Sequence, residues 1–313
     1  MRCAMAGALF RCLLSKHRKL GANTKTIISI LNLSWKKWRR YMDKNLLLTS
    51  VEMAQFASTG FLRFDNLVPR ELCEAAYEEM SAGKIRRRAP MGASFNEVWP
   101  DEAIGKVFRL PKVAAIIHSL VGPNPRYDHH AAHLTPANTR KGANLHQDAE
   151  YDIRDLHFDI QISFFPEDTP LESGGTLFVP GTQFRRVHEA EIKRYQNIIG
   201  QVQAVCEAGT MFFWHTNIWH SARSNFTDRD RYMFKLRLNP TVRQQRLWNT
   251  DDLDSPEVKQ KLNQKIPWHG QRHRIELMNR IKFWRFLTGD PTFDLSLWWG
   301  RVENTPDLIV PGG

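Results

Sequence analysis

The chain has 313 residues, 42% of them hydrophobic, with 18 Phe, 10 Trp and 6 Tyr and a formal charge of +11. That composition supports one large domain or two modest ones, and no apolar run reaches the roughly 18 residues of a membrane-crossing helix, so no transmembrane segment is expected. The charge is local: residues 1–45 hold 11 of the 44 Lys/Arg and one of the 33 acids, which leaves the rest nearly neutral and excludes a nucleic-acid-binding body.

Residues 1–45 therefore read as a basic N-terminal arm, densest at KKWRR (Lys36 to Arg40). A poorly ordered extension is the first reading, with upstream sequence ahead of a start at Met42 as one form of it. A targeting segment or a contact with an anionic surface is the functional alternative. Cys3, Cys12, Cys73 and Cys206 form no C-x-x-C pair and read as reduced thiols. They point to a cytoplasmic protein, or to an organellar or membrane-surface one if the arm is a targeting segment.

Residues 46–313 read as a single domain. Thr49-Ser50-Val51-Glu52 is a capping-box pattern opening a short helix that Gly60 closes, and FLRFDN follows as a strand. Pro69 starts a second helix with Leu72, Ala76 and Met80 on one stripe and Gly83 at its end, and Pro111 starts a third running to Gly122. From about residue 125 to 240 the texture is short β-like runs: RYDHHAAHL, HFDIQISFF, GTLFVP, QVQAVCE, TMFFWH and RYMFKLRLNP. Turn residues separate them. Such a series with little helix predicts a sandwich or barrel, mainly β with flanking helices. A C-terminal helical segment, about 250–300, carries the stripe Leu277, Ile281 and Trp284, with FDLSLWW as a last short helix.

The chemistry starts at NLHQDAEYD, Asn144 to Asp152. In an extended segment alternate side chains share a face, so His146 and Asp148 reach one metal ion together. A third ligand must come from elsewhere, and His220, in WHSARSN, is the best candidate. Two imidazoles and a carboxylate leave three octahedral positions open, which suits non-haem Fe(II) with oxygen and a chelating co-substrate. Arg231 lies 11 residues after His220, at the start of the next strand. Its planar guanidinium can hold the far carboxylate of a 2-oxo acid bidentately.

The blocks LHQDAEY, ESGGTLFVPGTQFRR, WHSARSNFTDRDRYMF and LLLTSVEMAQFASTGFLRFDNLVPRELC resemble the phytanoyl-CoA dioxygenase-like family of Fe(II)/2-oxoglutarate oxygenases, over roughly residues 46–240. The resemblance implies a double-stranded β-helix (jelly-roll, cupin-like) core, with His146, Asp148 and His220 as iron ligands and Arg231 as the 2-oxoglutarate anchor. It also implies hydroxylation of a C–H bond in a small substrate, with Fe(II), 2-oxoglutarate and O₂ as cofactors. Retention of Asp148 argues against a halogenase. Two departures touch the co-substrate contacts. Thr135 stands where some relatives have a lysine, and Ala222 where a serine is common, with Ser221 beside it.

Further candidates follow from strand alternation. Gln161 shares a face with Ser163 and is expected to touch co-substrate or substrate; His133 alternates with Thr135 toward the cavity. Lys235 and Arg237 share the Arg231 face, a basic wall for an anionic substrate or a solvated polar face beyond the pocket rim. A non-catalytic jelly-roll binding protein and a metal-dependent hydrolase on the same site are the competing functions. Oligomeric state leaves no mark in the sequence.

Overall fold

The computed structural model describes residues 43–86, 89–149, 155–185, 192 and 197–295. The basic arm to residue 42 and most of FDLSLWW lie outside the described residues.

Helix α1 (Ser50–Thr59) opens on the expected capping box: Glu52 N–H donates to Thr49 Oγ1 at 3.1 Å, and the Glu52 carboxylate accepts from Thr49 N–H at 2.7 Å. It ends at Gly60, whose φ of +84° suits glycine and turns the chain into β1 (Phe61–Phe64). Helix α2 (Arg70–Ser81) buries Cys73, Ala76 and Met80. The expected stripe packs on the core as read, with Leu72 partly buried against it and Cys73 beside it buried more deeply. Helix α3 (Ala103–Arg109), which the sequence reading did not anticipate, precedes α4 (Pro111–Val121).

Among the described residues eight strands build two antiparallel sheets. β2 (Arg126–Thr135), β3 (Ile160–Phe165), β6 (Thr210–His215) and β8 (Arg231–Asn239) join β1 in the order β1-β6-β3-β8-β2. β4 (Thr176–Val179), β5 (Val202–Gln203) and β7 (Trp219–Ala222) pair in the order β5-β4-β7. The strand expected from QVQAVCE shrinks to two residues. The expected strand TMFFWH is β6, and after the turn Thr216-Asn217-Ile218 the separate strand β7 carries His220. This strand order is that of a double-stranded β-helix, and the class is mainly β with flanking helices.

Strand β3 shows why the core has two compartments. Ile160, Ile162 and Phe164 join the helix-side core with Phe56, Met211, Phe213 and Phe234. Phe165 points between the sheets with Phe178, Phe212, Trp214, Ile218 and Met233. Each fully buried side chain of this size contributes about 1.5–3 kcal/mol, so the large sheet is held from both faces. On the helix side α5 (Pro256–Leu262) packs on α1, and α6 (His273–Thr288) buries Leu277, Ile281 and Trp284 as expected. Cys73 and Cys206 are free and buried, and burial pushes both thiols up to about 11. Among the described residues no helix is long and apolar enough to cross a membrane.

His215, 5% exposed, stacks on Phe158 with ring centroids 5.3 Å apart and accepts from Asn217 N–H. Burial pulls its pKa down to about 3, with Asp159 opposing. A histidine depressed in the fold stays neutral while the unfolded chain takes up a proton, so stability is lost as pH falls from about 6.5 toward 3. Urea midpoints should fall over that range, with His215 accounting for up to roughly 1.4 kcal/mol per pH unit. His215→Leu should flatten this acid limb; an unchanged slope would assign it to other groups.

Candidate metal centre

His146 and His220 face one another across an antiparallel bridge: each backbone N–H donates to the other's carbonyl at 3.0 Å. Ala143 N–H extends the contact by donating to Ala222 O at 2.8 Å, so the segment before Asp148 lies along β7 like a further strand. The two rings stand 4.4 Å apart. Each Nδ1 donates to the carbonyl two residues earlier, His146 to Asn144 at 2.8 Å and His220 to Ile218 at 3.0 Å. A carbonyl can only accept, so Nδ1 carries the proton and Nε2 presents a lone pair. Trp214 packs edge-on against His220 at 4.5 Å and holds the ring from inside the barrel.

Asp148 completes the cluster. Its Oδ1 lies 3.4 Å from His146 Nε2 and its Oδ2 3.5 Å from His220 Nε2, and the three donor atoms fall within 4.8 Å of one another. Neighbouring ligands on an octahedral ion with bonds of about 2.1 Å sit roughly 3 Å apart. Two neutral imidazoles and a carboxylate at this spacing fit one divalent ion. Burial opposes the Asp148 charge, yet the adjacent imidazoles of His146 and His220 and the charge of Lys235 hold the carboxyl well below its usual range. Burial lowers His220, while the neighbouring Asp148 carboxylate raises His146.

Arg231 begins β8 opposite Thr135 on β2 and is 4% exposed. Nε donates to Ser173 O at 3.0 Å and Nη2 to Thr135 Oγ1 at 2.6 Å. Among the described residues Nη1 is buried with no partner. Burial pulls this guanidinium down to about 10, still charged at neutral pH. One unclaimed donor on a buried, fixed cation is an anion-binding feature. His133, solvent-accessible and opposite Met233, feels the charges of Lys235, Asp148 and Arg231. Loss of hydration, then Lys235, lowers it to about 4, so it is neutral at pH 7.

The remaining candidates divide. Gln161 Nε2 and Lys235 Nζ both donate to Asp148 Oδ2, at 2.6 and 2.8 Å. Arg237 sits on the same face of β8, but its Nη2 lies 2.7 Å from Asp159 and its Nε 3.5 Å from Asp128. The basic wall is therefore ion-paired along its length. Ser221 does not join the site: it alternates with His220 and shares the face of Trp219, which packs with Leu145, Leu177 and Val179. Gln147, between the two ligands, was not singled out in the sequence. Its Nε2 donates to Arg185 O at 2.7 Å and Asn217 O at 2.8 Å, which anchors the turn that presents His146 and Asp148. Arg185 in turn pairs with buried Glu276 of α6 at 2.6 Å.

A double-stranded β-helix with a His-x-Asp…His cluster and a buried arginine on its inner face defines a jelly-roll metal-site protein. The family pattern described as phytanoyl-CoA dioxygenase (PhyH) matches residues 56–233, more than half of the chain, and this chain belongs to that family. The matched stretch contains His146, Asp148, His220 and Arg231. No curated protein matches the chain. Solved structures similar to it include HygX from Streptomyces hygroscopicus with nickel, 2-oxoglutarate and hygromycin B bound (15% identity, 67% of this chain and 94% of that one, TM-score 0.49). A second is SnoK, a non-heme alpha-ketoglutarate-dependent carbocyclase from nogalamycin biosynthesis (19%, 66% and 88%, 0.48). A third is the epimerase SnoN of the same biosynthesis (16%, 61% and 82%, 0.47). These likenesses carry no residue role across to this chain.

Co(II) titration checks the cluster. Gln147→Leu should weaken binding by about 10-fold, the lower end for loss of an outer-shell partner, and His220→Ala by more than the roughly 100-fold upper end. Unchanged Co(II) affinity in His220→Ala, with circular dichroism intact, would place the metal elsewhere.

Proposed function

We propose that the protein is an Fe(II)- and 2-oxoglutarate-dependent oxygenase that hydroxylates a C–H bond of a small organic substrate. The observation that carries this reading is the combination of a three-ligand cluster with the unclaimed Nη1 of Arg231. A bare metal site would not need a buried, fixed guanidinium; a chelating dicarboxylate would.

His146, Asp148 and His220 would hold the iron, and Arg231 the far carboxylate of 2-oxoglutarate; together the metal and its co-substrate supply activation of O₂. Thr135 acts through Arg231. It occupies Nη2 with its hydroxyl and so would leave Nη1 as the donor for the far carboxylate. A point-charge lysine at this position would not fix two directions at once. Trp214, Phe178, Phe212 and Met233 line the barrel behind the site and keep its floor apolar, which strengthens the electrostatics that hold the co-substrate.

The substrate would lie over His133 on β2 and Lys235 at the middle of β8. His133 is neutral, Arg237 is engaged by Asp159 and Asp128 and Lys235 by Asp148, so both cations of this wall already have acidic partners within the protein. The family name does not bring a CoA ester with it, since one fold and one metal set serve many substrates.

The anaerobic Fe(II) protein should develop the weak visible charge-transfer band of an iron–2-oxoglutarate chelate. In Arg231→Ala and Arg231→Lys the 2-oxoglutarate concentration needed to raise it should increase, by at least about 10-fold in the alanine variant. No band with iron demonstrably bound would sink the proposal in favour of a hydrolase or a binding protein.

A further inference from the structure

Asp148 Oδ2 receives two donors of different kinds. Gln161 reaches it from β3 at 2.6 Å and Lys235 from β8 at 2.8 Å, while Oδ1 remains toward His146 Nε2. Lys235 is nearly enclosed, its side chain 13% exposed, and among the described residues Asp148 is its one acidic ion-pair partner. Arg237, two residues on, has two acids of its own.

A neutral amide beside a ligating carboxylate only orients it. An ammonium also brings a charge, and in an enclosed site that charge acts over several ångströms. It repels a dication held by the same carboxylate and attracts any anion that joins that dication. With a divalent ion on the cluster, Asp148 supplies one negative charge while Lys235 and Arg231 add two positive ones, so the centre has a large positive excess. Removing Lys235 makes it a better host for the metal and a poorer one for an incoming dicarboxylate.

We propose that Lys235 sets the electrostatic balance of the metal centre, lowering its affinity for divalent metal and raising its affinity for anions that bind at the metal. Lys235 is thus a positioning residue with a charge effect, and Gln161 a positioning residue without one. The inference rests on the metal and 2-oxoglutarate reading above.

The test uses the purified full chain with Co(II) followed by its d–d absorption, then 2-oxoglutarate added to the Co(II)-loaded protein. Lys235→Met should bind Co(II) at least about fivefold more tightly and 2-oxoglutarate at least about fivefold more weakly. Lys235→Gln should shift both constants in the same two directions, and Lys235→Arg, which keeps the charge, should leave both near wild type. Gln161→Leu should weaken Co(II) binding by about 10-fold. A merely structural Lys235 would weaken both ligands together when replaced; that result, or no change in either constant, would overturn the inference and leave the metal reading intact. Wild-type protein that binds no Co(II) in a His220-dependent way would overturn both.

Discussion

The reciprocal backbone hydrogen bonds between His146 and His220 are the constraint from which the site follows. They fix two side chains, distant in sequence, directly opposite on adjacent strands, where side chains on one face of an antiparallel pair lie within about 5 Å of each other. Strand alternation then brings Asp148 onto the same face, and Gln147, pointing the other way, ties the turn to Arg185 and Asn217. Without that bridge the His-x-Asp segment would be a surface loop. With it, three donors converge before any metal contributes binding energy, which reduces the ordering a metal would otherwise have to impose.

The barrel interior is less apolar than a sheet-on-sheet core would be, and the polar residues fall in an order. Along β8 the inward positions are Arg231, Met233, Lys235 and Arg237, and each cation has a separate arrangement. Arg231 is braced by a carbonyl and a hydroxyl with one donor left over, Lys235 by the metal-ligating carboxylate, and Arg237 by two acids. Burying an unpaired charge costs several kcal/mol, so an incompletely paired guanidinium such as Arg231 marks the place where a ligand supplies the missing partner. Arg237, by contrast, has two acids to balance its charge, and Arg231 has none among its hydrogen-bond partners.

Much of this could be read from the residues. The two-residue spacing of His146 and Asp148 and the alternation of β8 are local facts of extended backbone, and both survive folding intact. The capping box at Thr49 and Glu52 is equally local. The failures share a cause, which is that their determinants are tertiary. Leu72 and Cys73 both pack on the core, and only the packing of α2 makes Cys73 the more deeply buried of the two. The turn between β6 and β7 has no Gly or Pro to mark it, and Ser221, next to His220 on β7, falls on the opposite face. Lys235 and Arg237 were correctly placed on the Arg231 face, but their acids come from other elements at long sequence separation. No local pattern announces such pairs.

The central claim, one metal ion shared by His146, Asp148 and His220 with a dicarboxylate reaching from it to Arg231, is most directly tested by crystallography. Crystals of the protein grown with Mn(II) and 2-oxoglutarate, measured for anomalous scattering, should show a single strong peak about 2.1–2.3 Å from both Nε2 atoms and from an Asp148 oxygen. The ligand's far carboxylate should accept from Arg231 Nη1. A peak bonded to other residues, or a dicarboxylate that leaves Nη1 without a partner, would contradict the account.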